Sequence, residues 1–428
     1  MLPESDASPP NKKARVSKTL PAEKPKSDLS WQIVQETLLT ARYKSADIYS
    51  KLSPDLIDGE SKIKLAAFDL DGTLIRTKSG TRFPRDETDW TFFDRSVSSK
   101  LRDLSNAGHL IVIFSNQAGL KFSDSAKRYS QWKLKLSAIT AALDVPLLLY
   151  AASAHDNFRK PRLGMFVQCL KDLKSLSEAQ SLSIQYDGSF FVGDAAGRPS
   201  NVTGEKRDFS ASDRKFAINA QLEFHSPEEY FLSHPRKTFE FTGFDPVKFQ
   251  NPERSDHLFL RLHTQEIVLF VGSPASGKSS YYKTFLQPLD YVRINQDTLK
   301  TRQKCIARAR VELMEGKSVC VDNTNASVES RAHWLQLAAD VKAPEKIPVR
   351  VVHFTADVEL CEHNNAVRAF APRNGEESRE LLPAVAFSSF KGRYEPPRVE
   401  EGFMKLEQVE FILTGSPDEE QAWRQYWT

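Results

Sequence analysis

Cysteine is scarce in this chain: four in 428 residues, at Cys169, Cys305, Cys320 and Cys361, with no CxxC pair and no histidine at ligand spacing. That pattern excludes a disulfide framework and a structural zinc site, and it predicts a reducing compartment. Long apolar runs are missing as well. The longest, such as "HLIVIF" and "EIVLFVG", fall far short of the ~20 residues that span a bilayer, so no membrane association is expected. Neither sign of charge is in large excess: the formal net charge is +3, which tolerates a polyanionic partner without demanding one. Large apolar residues are almost absent from the first 28 positions, which hold five prolines and read as a disordered tail. Within it "PPNKKARVSK" gathers Lys12, Lys13, Arg15 and Lys18. Read as an import signal, this run predicts localisation in the nucleus. A secretory leader would need an apolar stretch, and Glu4 and Asp6 speak against a mitochondrial presequence.

At 428 residues the chain is too long for one compact core. From Trp31 to Tyr49, Ile33, Val34, Leu38, Leu39 and Tyr43 recur at helical spacing and predict a helix. Beyond it, "KLAAF" (64–68), "LIVIF" (110–114), "LLLYA" (147–151) and "SFFV" (189–192) read as buried strands. Amphipathic stretches at 130–143 and 164–176 alternate with them. A polar segment rich in Phe and Pro then intervenes, and "EIVLFV" (266–271), "SVCVD" (318–322) and "VRVVHF" (349–354) begin a second series. Such alternation implies βαβ units around parallel sheets. The expected class is α/β, with two tandem three-layer parallel-sheet domains. The divisions are a basic tail at 1–30, a first domain at 31–230 with its core from about 62, a linker at 231–262 and a second domain at 263–428.

Reactive groups of open parallel sheets gather at the carboxyl ends of the strands. In the first half those ends carry Asp69 and Asp71 in "FDLDGTLI", Ser115 in "FSNQ", Lys160 in "FRKP" and Asp194 in "VGDAAGR". A carboxylate can attack phosphorus and a neighbouring carboxyl can protonate the leaving oxygen. A hydroxyl and an ammonium can neutralise phosphoryl oxygens, and Mg2+ prefers oxygen ligands of this kind. The set resembles the haloacid-dehalogenase superfamily, whose DxDGT signature stands here as Asp69 to Thr73. The resemblance implies that Asp69 is the nucleophile, Asp71 the general acid/base, and Ser115 and Lys160 the phosphate ligands. It further implies Mg2+ held by Asp69, Asp71 through its carbonyl, and Asp194. Asp213 in "DFSASDRKFA" either caps the helix that follows or joins the site, and it is left out of the metal set.

In the second half "GSPASGKSS" follows one of the expected strands and opens a helical stretch, the context of a full P-loop. Its candidate ATP-binding residues are Gly272, Ser273, Ala275, Ser276, Gly277, Lys278, Ser279 and Ser280. Lys278 would reach the β and γ phosphates of ATP and Ser279 would hold Mg2+. Asp297 in "NQDTL" is the candidate base, Asp322 in "DNTN" a metal-associated acid, and Arg368 in "HNNAVRAF" a group closing over the transferred phosphoryl.

Phosphatase then kinase, with "SGTRFP", "FSNQAGL", "FRKP", "DNTN", "HNN" and "FKGRYEPPRVEEGF" in one order over roughly residues 62–412, resembles the polynucleotide kinase 3′-phosphatase family. That resemblance implies removal of a 3′-phosphate and ATP-dependent phosphorylation of a 5′-hydroxyl at DNA ends. Fewer than 62 residues precede the phosphatase, so the fungal-like form without a forkhead-associated domain is expected, acting as a monomer. Candidate DNA contacts are Lys121, Arg159, Arg198, Arg207, Arg293 and Lys300. Two other readings stay open: a small-nucleotide kinase joined to a metabolite phosphatase, and a strand-break binding module with a silent kinase.

Overall fold

The structure is a computed structural model that describes residues 29–52, 60–123, 126–176, 181–200, 207–241, 243–253, 259–342, 346–372 and 379–428. The basic run at 12–18, read as an import signal, lies outside them. No helix among the described residues is long and apolar enough to cross a membrane.

The first half is built on a seven-stranded sheet. Its spatial order is Leu29–Val34, Leu38–Tyr43, Leu147–Ala152, Leu110–Asn116, Leu65–Phe68, Phe190–Val192 and Glu223–His225. The last five strands run parallel to one another. Parallel strands inside a sheet are buried on both faces, which is why the inner ones among these are largely continuous apolar runs, whereas the edge strand Glu223–His225 is not. Successive residues nevertheless serve opposite faces. Leu65 and Ala67 join Val112, Phe114 and the helix Gly164–Leu176 in one core, while Ala66 and Phe68 join Ile111, Ile113 and the helix Lys127–Leu143 in the other.

The helix expected from Trp31 to Tyr49 is a correction. Leu29–Val34 and Leu38–Tyr43 form an antiparallel hairpin, and only Ser45–Leu52 is helical. Gln35 and Glu36 at the turn have φ of 46° and 61°, which reverse the chain and cannot continue a helix. Val34 pairs with Leu38 across the three-residue turn. A cross-strand pair four residues apart mimics helical spacing, and that coincidence produced the helix reading. The second arm of the hairpin extends the sheet by pairing with Leu147–Ala152.

The second half is a five-stranded sheet, parallel throughout, in the order Val292–Ile294, Val319–Val321, Ile267–Val271, Val349–Phe354 and Lys405–Val409. Here too alternate residues of Ile267–Val271 feed cores on the two faces. After the helix Pro417–Trp423 the chain returns to the first half, where Asn219 holds the Tyr426 backbone through both its N–H and its carbonyl.

Candidate active sites

Asp69 follows Leu65–Phe68, the middle of the five parallel strands of the first sheet, and its neighbours arrive from adjacent strand ends. Lys160 Nζ lies 2.6 Å from Asp69 Oδ1 and 2.8 Å from Asp213 Oδ1, and it donates to the Phe114 carbonyl at 2.7 Å. The Asn116 carboxamide bonds both the N–H and the carbonyl of Lys160, so the lysine's backbone is fixed as well as its head. Asp69, Ser115, Lys160 and Asp213 are all buried. Gly72, φ 89°, turns the chain where a Cβ would lie 2.5 Å from Asp194 Oδ2, so close packing and conformation both demand glycine. Thr73 Oγ1 then accepts from the Asp194 backbone N–H.

Asp69, Asp194 and Asp213 bring carboxylate oxygens within 4.8 Å of one another. Burial, opposed by Lys160 and reinforced by Asp213, pushes Asp69 up to about 7. Burial, then the charges of Asp69 and Asp213, pushes Asp194 well above the carboxylate range. Three clustered carboxylates with one lysine carry excess negative charge, and an all-oxygen set of this kind fits Mg2+. Of the two alternatives for Asp213, helix cap or member of the site, the structure shows the second. Ala211 is the N-cap of Ser212–Asn219, whereas the Asp213 carboxylate turns inward to Lys160 and accepts from the Ala195 N–H at 3.1 Å.

Asp71 is half-exposed and held at both oxygens, by Lys135 Nζ at 3.0 Å and by Gln117 Nε2 at 2.6 Å. Gln117 also donates to Ser115 Oγ. Neither Lys135 nor Gln117 stood out in the sequence as a functional residue. Gln117 lay within the quoted "FSNQ", but Lys135 sits mid-helix where a lysine ordinarily faces solvent.

In the second half the loop Gly272–Gly277 joins Ile267–Val271 to the helix that starts at Lys278. Ala275 and Gly277 take φ of 59° and 97°, conformations that wrap backbone N–H groups inward. Lys278 is buried; its Nζ donates to the carbonyls of Gly272 and Ser273 and to Ser276 Oγ. Burial, partly offset by Asp322, draws it down to about 8. Ser279 Oγ donates to Asp322 Oδ2 at 2.8 Å. The loop opens on a cleft of 1520 Å3 lined also by Asp297, Arg302, Arg368 and Arg379. Asp297 is exposed in the first turn of Gln296–Leu299, whose N-cap is Asn295.

The six candidate DNA contacts divide. Lys121 and Arg207 are exposed, and Arg159 has a buried Nη1 with no hydrogen-bond partner. Three are engaged internally. Arg198 pairs with Asp208 and Glu228 and donates to the Asp194 carbonyl, bracing the loop that carries Asp194. Arg293 donates to Asp322 Oδ2 and Ser279 Oγ. Lys300 Nζ donates to the Asp297 carbonyl. Each satisfies an acid, hydroxyl or carbonyl that the fold brings beside it, which sequence position alone did not disclose.

A sheet ending in clustered carboxylates around a buried lysine, joined to one ending in a phosphate loop, defines a two-site phosphoryl-transfer enzyme. The family described as "Polynucleotide kinase 3 phosphatase" matches residues 64–231, and one described as "AAA domain" matches 267–397. The chain is 41% identical over 366 residues to the "Bifunctional polynucleotide phosphatase/kinase" of Schizosaccharomyces pombe, covering 85% of this chain and 83% of that one. It is 31% identical to a "Putative bifunctional polynucleotide phosphatase/kinase" of Acanthamoeba polyphaga mimivirus, over 85% of this chain and 88% of that one. The "Polynucleotide 3'-phosphatase" of Saccharomyces cerevisiae is 34% identical over 42% of this chain and 92% of its own length. The chain belongs to the bifunctional polynucleotide phosphatase/kinase family, with its phosphatase domain ahead of its kinase domain.

Proposed function

We propose that this enzyme repairs DNA strand ends, stripping 3′-phosphates in its first half and phosphorylating 5′-hydroxyls from ATP in its second. The observation that carries the reading is the pairing, in one chain, of the Asp69–Lys160–Asp213 cluster with the Lys278 loop. In the first site Lys160 favours the ionised form of Asp69, which attacks phosphorus and becomes an aspartyl-phosphate as the 3′-oxygen leaves. Asp71, oriented by Lys135 and Gln117, delivers the proton to that oxygen and then takes one from the water that releases phosphate. Ser115 and Lys160 bind the phosphoryl oxygens. Asp69, Asp194 and Asp213 would hold Mg2+, which when bound neutralises the phosphoryl charge.

In the second site the loop amides and Lys278 grip the ATP phosphates, with Arg368 at the rim of the same cleft. Asp297 accepts the proton of the 5′-hydroxyl as the hydroxyl oxygen attacks the γ-phosphorus and the bond from γ-phosphorus to the β-phosphate oxygen breaks, releasing ADP. Ser279 and Asp322 would hold a second Mg2+. The basic run at 12–18 supports a nuclear address. A labelled nicked duplex bearing 3′-phosphate and 5′-hydroxyl, incubated with ATP and Mg2+, tests the reading. Both termini convert if it is right; conversion of nucleoside monophosphates alone would refute it.

A further inference from the structure

The helix Val358–Phe370 belongs to the kinase half, yet its side chains reach two places. Asn364 donates to the Ala275 carbonyl of the phosphate loop at 3.3 Å and accepts from Trp423 Nε1 at 2.7 Å. Arg368 lines the ATP cleft, with Nη2 on Asn365 Oδ1 and with a buried Nε that has no hydrogen-bond partner. Phe370, the last residue of the helix, contacts the phosphatase half instead. Its ring stacks on Trp427 with centroids 6.4 Å apart and planes at 9°, and the Arg162 guanidinium lies 4.3 Å from its centroid. Residues two apart on a helix point about 200° from one another, so Arg368 can face the cleft while Phe370 faces the other domain.

Arg162 comes from the phosphatase half, two positions after Lys160. It is buried, its Nη1 donates to the Trp427 carbonyl at 2.8 Å, and its Nε donates to the Asp156 carbonyl at 2.7 Å. Asn219 grips the same returning segment and also donates to the Pro161 carbonyl. A guanidinium fixed at two carbonyls is a rigid plate on which an aromatic ring can rest. Helix ends lack intrahelical partners and fray, and this plate restrains the last turn, the one that holds Arg368.

We infer that Arg162 is a positioning residue for the kinase: through Phe370 it fixes the end of the helix that carries Arg368. The loop that presents Lys160 to the phosphatase site thus braces the ATP cleft of the other half. This rests on Arg368 acting on ATP phosphates, as argued under Proposed function.

The test uses full-length chains carrying Arg162→Ala, Phe370→Ala, Phe370→Tyr, Arg368→Ala and the Arg162→Ala/Arg368→Ala pair, assayed for kinase kcat and KM with varied ATP. Arg162→Ala and Phe370→Ala lower kcat/KM for ATP by about tenfold, the scale of a small misplacement. Phe370→Tyr, which keeps the flat ring, restores it. In the Arg368→Ala background Arg162→Ala costs nothing further, because a residue acting through another is not additive with it. Full kinase activity in both Arg162→Ala and Phe370→Ala, or an undiminished Arg162 effect without Arg368, overturns the inference. Should Arg162→Ala fail to fold, Phe370→Ala decides alone, since Phe370 is only half-buried. Wild-type kinetics from Arg368→Ala would instead overturn the assignment of Arg368 itself.

Discussion

The two halves share a layered parallel-sheet plan and place their chemistry at the same kind of strand end, but they bury opposite charge. The phosphatase site packs three carboxylates against one lysine, and burial drives Asp69 up to about 7. The kinase loop buries Lys278 among carbonyls and a hydroxyl, and burial drives it down to about 8. A buried charge in excess of its protein partners destabilises the fold unless something else compensates it. A cation suits the first site and a polyphosphate the second. The sign of the surplus therefore distinguishes the two sites, in keeping with the proposed transfer to a carboxylate in the first and the proposed grip on a nucleotide tail in the second.

The contrast breaks most sharply when each surplus is removed. Asp69→Asn should cut phosphatase turnover on the order of 10⁴-fold while kinase turnover stays at the wild-type level, as expected for loss of a nucleophile. Lys278→Ala should do the reverse, by roughly 10²–10³-fold, the usual cost of losing one electrostatic contact to the transition state. Steady-state assays on 3′-phosphorylated and 5′-hydroxyl oligonucleotides read both. Asp213→Asn sharpens the first half: phosphatase activity should fall, and the Mg2+ needed for half-maximal rate should rise, by about 10-fold or more. A residue that merely capped its helix would leave that Mg2+ requirement unmoved.

Acid should act on the kinase half through His363, which bonds the Trp423 carbonyl. Burial lowers its pKa from 6.5 to about 4, so it is neutral when folded at pH 6. The unfolded chain takes the proton first, and the stability from neutral His363 is lost as pH falls from 6.5 through 4. That loss approaches roughly 3 kcal/mol at the acid end of the window. Urea unfolding should therefore show a wild-type advantage over His363→Gln at pH 7 that shrinks by pH 4.5; a constant gap would contradict it. The smallest effect belongs to Arg293, half-exposed over Ser279 and Asp322. Arg293→Ala should lower the Mg2+ needed by the kinase about threefold, the worth of a partly exposed ion pair. Titration of Mg2+ at saturating ATP checks it.

Much of this was legible because each site is centred on a short contiguous string. "FDLDGTLI" and "GSPASGKSS" form turns whose glycines and hydroxyls are adjacent in sequence, and the buried strands beside them are unbroken apolar runs. What escaped was non-local. Lys135 reaches Asp71 from 64 residues away, and a lysine in a helix carries no mark of the carboxylate it meets. Asp213 stayed open between cap and site because aspartate near a helix start is commonly a cap, and only the fold turns it toward Lys160. Arg198 and Arg293 resembled free basic residues until their acid partners were brought beside them. The amino-terminal hairpin failed for a local reason, a turn that imitates helical spacing between Val34 and Leu38.

Mixing the two crippled proteins tests the central claim, two separate sites of opposite charge, most directly. Neither Asp69→Asn nor Lys278→Ala alone should yield a nick with both 3′-hydroxyl and 5′-phosphate. Together, with ATP and Mg2+, they should convert both termini of the labelled nicked duplex. Termini that stay unprocessed when both folded variants are present would contradict the account.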